Sequence, residues 1–303
     1  MSAPARKIRS TYSQCPFQIR MHDQAGLIST GTAFFYAFND EWFLITNWHN
    51  LSGKHFLKKE PLTPGRLPTH IEVNLSSYGA SNIELPEGCF TTIAQRVEIY
   101  QDFAPIWFEH PTLGSQCDVV ALPFARPSHC PENMHNAANL IGSTRIPIRP
   151  GSTVYAIGFP ESLSVGFGLP LWKSGYIASE PEYAINIGGE PAPSGGNTGG
   201  TILPAFFIDS ETRKGMSGSP VFASYSGTWD MTDPYRDFDP KTPEFWNRND
   251  IALGAHAIEF LGCYSGRVGT KKEDGAALGL CWPEHVIKEI CQAKSIGKNP
   301  HIQ

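Results

Sequence analysis

Short apolar runs, many alternating with polar residues, recur along the chain between clusters of Gly, Pro, Asn and Asp. A two-residue period bounded by turn residues predicts strands. It places them at 16–22, 31–38, 41–47, 70–75, 93–100 and 119–124, then at 153–159, 173–178, 183–187, 202–208, 220–224, 258–264 and 276–282. Asn39 and Asp40, set between two apolar runs, predict a two-residue hairpin turn. One helical period stands out: Val286, Ile287, Ile290 and Cys291 recur at helical spacing after Pro283, which suits a first helical position. This helix leads into a polar tail from Lys294. Segment 188–200 (GGEPAPSGGNTGG) reads as a loop, and 226–250, polar and aromatic, as a surface insertion. Many strands and little helix predict an all-β sandwich or barrel rather than alternating βαβ units.

Composition narrows the classes. A chain of 303 residues, 41% hydrophobic and 17% charged, can bury a large core and is not a disordered polymer. Its 29 Gly and 25 Pro suit a turn-rich β protein. A formal net charge of -5 gives no reason to expect nucleic acid or an anionic membrane as partner. No stretch approaches the length of an apolar membrane span, and the first residues contain no signal-like apolar run. Cys15, Cys89, Cys117, Cys130, Cys263, Cys281 and Cys291 are scattered and odd in number, so they read as reduced thiols and the expected compartment is the cytoplasm. Zinc is the alternative for Cys117, His129, Cys130 and His135, but no C-x-x-C or H-x-x-x-H spacing joins them, and no metal or cofactor is expected.

Three local patterns carry chemistry. The first is Gly215-Met216-Ser217-Gly218-Ser219-Pro220-Val221. A serine hydroxyl needs a base to become a nucleophile, and the small residues around Ser217 let the N–H groups of Gly215 and Ser217 point at a developing oxyanion. The second is the apolar hairpin that runs through Gly31-Thr32-Ala33 and ends in Thr46-Asn47-Trp48-His49. An imidazole at a strand exit is suited to take and return a proton near neutral pH. The third is Asp118-Val119-Val120-Ala121-Leu122. An aspartate entering an apolar strand is poised to be buried, and a histidine N–H would satisfy it while fixing the ring's tautomer.

In the order His49, Asp118, Ser217, these motifs resemble those of the trypsin-like (chymotrypsin-fold) serine peptidases, nearest to the cytoplasmic and bacterial-type members. The resemblance implies an all-β fold of two packed six-stranded antiparallel β-barrels with a C-terminal helix. It implies an N-terminal lobe over 1–140 carrying His49 and Asp118. A C-terminal lobe over 141–295 would carry Ser217 and the 226–250 insertion, with a polar tail at 296–303. It implies serine endopeptidase activity on a protein or peptide substrate, with an oxyanion hole at Gly215 and Ser217. Cys263, Tyr264 and Ser265 would lie on the strand that lines the first specificity pocket. Glu211 falls where the family often places that pocket's base and would favour Lys or Arg; Arg213, Lys214 and Arg267 could pair with Glu211 or instead attract acidic side chains. His256, in a Gly-x-His-x pattern similar to that of members taking Glu or Gln, falls one strand early and reads as a satisfied core histidine. Met216 stands where secreted members carry an Asp that pairs with a newly cut N-terminus, and there is no Ile-Val-Gly-Gly start, so maturation by that route is not expected.

Two other readings compete. A catalytically silent barrel would serve as a binding or effector module. An α/β-hydrolase would need Gly at Ser219 in its Gly-x-Ser-x-Gly elbow and alternating strands and helices. A non-secreted peptidase also implies restricted specificity toward a protein partner rather than general digestion.

Overall fold

The computed structural model describes residues 8–77, 91–125, 137–166, 168–188, 190–191, 197–268 and 278–302. The β-rich architecture expected from the apolar pattern is present. Asn39 and Asp40 both take positive φ, 49° and 61°, and close the hairpin in which Phe38 faces Glu41. That conformation at both positions is the twist-matched two-residue turn.

The two halves close differently. In the second half, Thr153–Gly158, Leu171–Ile177, Phe206–Asp209, Leu278–Pro283, Ile251–Val268 and Pro220–Asp230 form a closed barrel in that order. The first half is an eight-stranded sheet rather than a second six-stranded barrel. Its order is Ser295–Ile296, Phe108–Glu109, Val120–Pro123, Glu41–Thr46, Gly26–Phe38, Pro16–Asp23, His70–Ser77 and Thr91–Glu98. The polar tail explains part of the difference. Ser295–Ile296 pairs antiparallel with Phe108–Glu109, and the Lys54 ammonium donates to the Pro300 carbonyl at 2.6 Å. The polar tail is thus tied to the first half.

The expected surface insertion is partly regular. Strands Pro220–Asp230 and Ile251–Val268 extend well past the expected 220–224 and 258–264 and pair along their length. Asp230 ends the ribbon. Its fully buried carboxylate accepts the N–H groups of Thr232 and Asp233 and the Arg248 guanidinium. A buried carboxylate must be met by donors, so the insertion folds around it. Of the glycine-rich segment, Glu190–Pro191 pairs with Asn197–Thr198. The last expected strand begins at Leu278, with 276 and 277 outside the described residues. Helix Glu284–Ala293 follows, with Pro283 at its N-cap rather than its first helical position.

One core cluster spans the first sheet and one flank of the barrel, including Trp48, Trp107 and Trp282, and receives Val286, Ile287, Ile290 and Cys291 of the helix. A second cluster, including Met216, fills the barrel. Each fully buried large apolar side chain contributes roughly 1.5–3 kcal/mol, so both segments that carry the site are anchored. Cys15, Cys117, Cys263, Cys281 and Cys291 are buried and free; Cys89 and Cys130 lie outside the described residues. So do His129 and His135, and no metal-holding cluster occurs among the described residues. Among them, too, no helix is long and apolar enough to cross a membrane.

Candidate active site

His49 sits in a one-turn helix, Trp48–Ser52, immediately after strand Glu41–Thr46. The turn stops at Gly53, whose left-handed φ of 67° lets its N–H bond back to the His49 carbonyl, an ordinary αL cap. The first N–H groups of a helix lack internal partners. Asn47 stands at the N-cap but does not cap. Its amide instead donates to the Asp118 carbonyl at 2.7 Å and toward Cys263 Sγ at 3.6 Å. The His49 N–H is taken by Asp118 Oδ1 at 2.9 Å. One carboxylate therefore completes the helix start and fixes the imidazole, because Asp118 Oδ2 lies 2.7 Å from His49 Nδ1. Ser265 Oγ donates to that same oxygen.

Asp118 is 1% exposed and the His49 side chain 17%. A buried carboxylate with donors on both oxygens holds the proton on Nδ1 and leaves Nε2 as an acceptor facing the cleft. Ser265, expected on the strand that lines the first specificity pocket, lines a cavity with His49 and Ser217; its hydroxyl also donates to Asp118, and its carbonyl accepts the Ser217 hydroxyl at 3.0 Å. No hydrogen bond joins Ser217 Oγ to His49 among the described residues.

Ser217 lies in a turn gripped from both halves. Its carbonyl accepts the Thr32 N–H at 2.8 Å and the Asn50 amide at 3.2 Å. Gly218 N–H donates to the Tyr264 carbonyl, and Tyr264 N–H to the Ser219 carbonyl. Gly218 has φ 88°, and a Cβ there would fall 2.0 Å from the Thr32 carbonyl oxygen. Only glycine lets the first sheet come this close.

Gly215 is likewise obligatory, with φ 90° and the Phe159 carbonyl 2.3 Å from a would-be Cβ. Both peptides around it are pinned. The Lys214 carbonyl accepts the Glu161 N–H at 2.6 Å, and the Gly215 carbonyl accepts the hydroxyl of buried Thr32 at 2.7 Å. Glu161 and Ser162 both have positive φ, 52° and 63°, a strained turn that holds the donor in place. The N–H groups of Gly215 and Ser217 have no acceptor among the described residues. Met216, where an ion pair would sit in secreted enzymes, is wholly buried in the barrel core. An apolar anchor, Thr32 and the 160–163 turn hold this loop.

Three cavities adjoin Ser217. His49, His55, Phe56, Leu62 and Leu280 line one. Ile28, Thr30, Asn50 and Arg66 line another. The third is lined by Thr212, Arg213, Lys214, Tyr264 and Arg267. Tyr264 thus reaches a cleft, whereas Cys263 is fully buried with burial raising its thiol pKa well above the ordinary range. Glu211 is exposed and outside the third lining. His256 is an exposed residue bonded to Ser226 Oγ at 2.8 Å, not a core histidine, and lines none of the three cavities. Sequence reasoning missed Thr32, Asn50 and Glu161. Thr32 and Asn50 sit within or beside the quoted motifs, but their partners lie well over a hundred residues away. Glu161 had no signal, because its part is played by the backbone.

The sequence profile of the Trypsin-like peptidase domain family matches residues 31–229, a stretch that includes all three site residues. No curated protein sequence matches the chain. Similar solved structures include the Rv3671c protease of M. tuberculosis in its active form, 15% identical, with TM-score 0.45 and coverage of 95% of this chain and 83% of that one. A serine endoprotease from Yersinia pestis is 13% identical, with TM-score 0.44 and coverage of 95% and 67%. A thermostable serine protease from an extremophilic microorganism is 12% identical, with TM-score 0.45 and coverage of 94% and 98%. On the profile match across most of its length, this chain belongs to the trypsin-like peptidase domain family.

Proposed function

We propose that the chain is a serine endopeptidase in which Ser217 is the nucleophile, His49 its general base and acid, and Asp118 the group that orients His49. One observation carries the reading: the buried Asp118–His49 pair, 2.7 Å across, opens onto the same cavities as a serine flanked by two unpaired backbone N–H groups. Rotation of Ser217 about its Cα–Cβ bond brings Oγ from the Ser265 carbonyl toward His49 Nε2; such bonds are often unformed without substrate. Oγ then attacks the scissile carbonyl carbon as its proton passes to Nε2. The carbonyl oxygen takes the negative charge between the N–H groups of Gly215 and Ser217. As the C–N bond breaks, His49 returns that proton to the leaving amine. Water, deprotonated by His49, releases the acid and restores the serine.

Five buried, free cysteines favour a reducing compartment such as the cytoplasm. The charged subsite beside Ser217 favours restricted action on a protein partner over general digestion. High turnover of casein by the purified protein would contradict that restriction.

A silent binding module remains the second reading, because Ser217 Oγ donates to Ser265 and not to His49. An activated p-nitrophenyl ester separates the two. The peptidase should release a burst of one nitrophenolate per chain, abolished in Ser217→Ala. A burst of equal size in that variant would remove Ser217 as nucleophile.

A further inference from the structure

The third cavity, about 410 Å³, has a largely cationic lining. Arg213, Lys214 and Arg267 line it, and none has an ion-pair partner among the described residues. The one carboxylate in the lining is Glu161, beside Lys214, which leaves two positive charges in excess. At its wall, Thr212 Oγ1 and the Tyr264 hydroxyl bond to each other. Only one of their two protons is used in that bond, and among the described residues neither hydroxyl has another hydrogen-bond partner, which leaves one proton free to donate at this wall. Burial first, against the milder opposing effects of Thr212 and Arg267, raises the Tyr264 pKa, so the phenol stays a donor at neutral pH. The exposed Glu211 is not part of this lining.

Resting on the peptidase reading above, we propose that this cavity receives the side chain on the acyl side of the scissile bond and that it selects an acidic residue, Glu or Asp. A carboxylate entering it meets a lining with two positive charges in excess and a hydroxyl proton not used between Thr212 and Tyr264. A Lys or Arg side chain meets like charge. An apolar side chain leaves the hydroxyl proton unmet and the guanidinium groups partly desolvated, which is where polar sites discriminate most strongly. Arg213 and Arg267 are both exposed, so each acts through partly screened attraction, and the selectivity weakens with salt.

Peptidyl phosphonates identical except for the residue that carries the phosphorus test this, with Glu, Gln, Lys and Leu analogues and a small fluorophosphonate that lacks a side chain. The rate of covalent labelling of Ser217 is measured for each. The Glu analogue should label about tenfold faster than its Gln isostere, equivalent to about 1.4 kcal/mol, and faster still than the Lys analogue. In Arg213→Gln/Arg267→Gln the Glu-to-Leu rate ratio should fall about tenfold, and in the parent protein it should fall with added salt. Faster labelling by the Lys or Leu analogue, with Ser217 modified, overturns the acidic subsite and leaves the peptidase intact. A Glu preference that the double variant does not change overturns the assignment to these arginines. If no reagent, the small fluorophosphonate included, modifies Ser217, the peptidase reading fails and the substrate class with it.

Discussion

Replacing Asp118 by Asn changes one oxygen to an amide and nothing else in the site's shape. Asp118 accepts three hydrogen bonds, from the His49 N–H, His49 Nδ1 and Ser265 Oγ. Asn can keep the first through its remaining oxygen, which leaves its NH2 facing two groups that formerly donated. Ser265 can rotate its hydroxyl. The imidazole cannot rotate without leaving the cleft, so it shifts its proton to Nε2 and presents Nδ1 as the acceptor. Nε2 then carries the proton where Ser217 needs a base. Loss of the correct tautomer in a triad of this kind lowers the rate by about 10⁴-fold, or about 5.5 kcal/mol. The stability change should be far smaller, within about 2 kcal/mol of either sign, since two charge-assisted bonds are lost but a buried charge is removed as well. The assay is the pre-steady-state acylation rate with a p-nitrophenyl ester, with thermal melting as the check on folding. A well-folded Asp118→Asn protein acylating within tenfold of the parent would refute the reasoning about the tautomer.

Other consequences are equally specific. Thr32→Val keeps volume but removes the hydroxyl that holds the Gly215 carbonyl and accepts the Phe159 N–H. Turnover should fall roughly ten- to hundredfold with KM little changed, less than the loss of an oxyanion donor itself, and a change under twofold would show that the loop holds without it. The hydrogen bond from Arg66, aided by the Ala25 N–H against some cost of burial, lowers the Asp23 carboxyl from 3.8 to about 2. Its stabilising effect is therefore complete above pH 3.8 and lost as pH falls toward 2. Asp23→Asn should melt lower than the parent at pH 7 and together with it near pH 2; an unchanged gap across that window would exclude this ion pair as the cause. Burial raises the thiol pKa of Cys15, Cys117, Cys263, Cys281 and Cys291. In native protein a disulfide reagent at pH 8 should reach at most Cys89 and Cys130, with all seven reacting after unfolding.

Much of the fold was legible because strand alternation and turn chemistry are local. Asn39-Asp40 and the 286–291 helical period both declare themselves within a dozen residues. How each half closes is not local. The first sheet gains an edge from Ser295–Ile296, nearly two hundred residues after its partner Phe108–Glu109, and no periodicity announces such a pairing. The same divide runs through the site. The glycines around Ser217 mark a tight turn in the sequence itself, whereas the reason they must be glycine is the approach of Thr32 and Phe159 from elsewhere. Position alone singled out Glu211, and left Arg213, Lys214 and Arg267 either as its partners or as groups that attract acidic side chains. In the structure Arg213, Lys214 and Arg267 line the third cavity and Glu211 does not, a placement that depends on how the turn before Ser217 meets a strand much later in the chain and that no local pattern announces.

The central claim is that Ser217 is a nucleophile made reactive by His49 and Asp118. Mass-spectrometric peptide mapping after treatment with a fluorophosphonate tests it most directly. The account predicts a single adduct on Ser217, absent in Ser217→Ala and strongly slowed in His49→Ala. An adduct elsewhere, or undiminished labelling of Ser217 in His49→Ala, would contradict it.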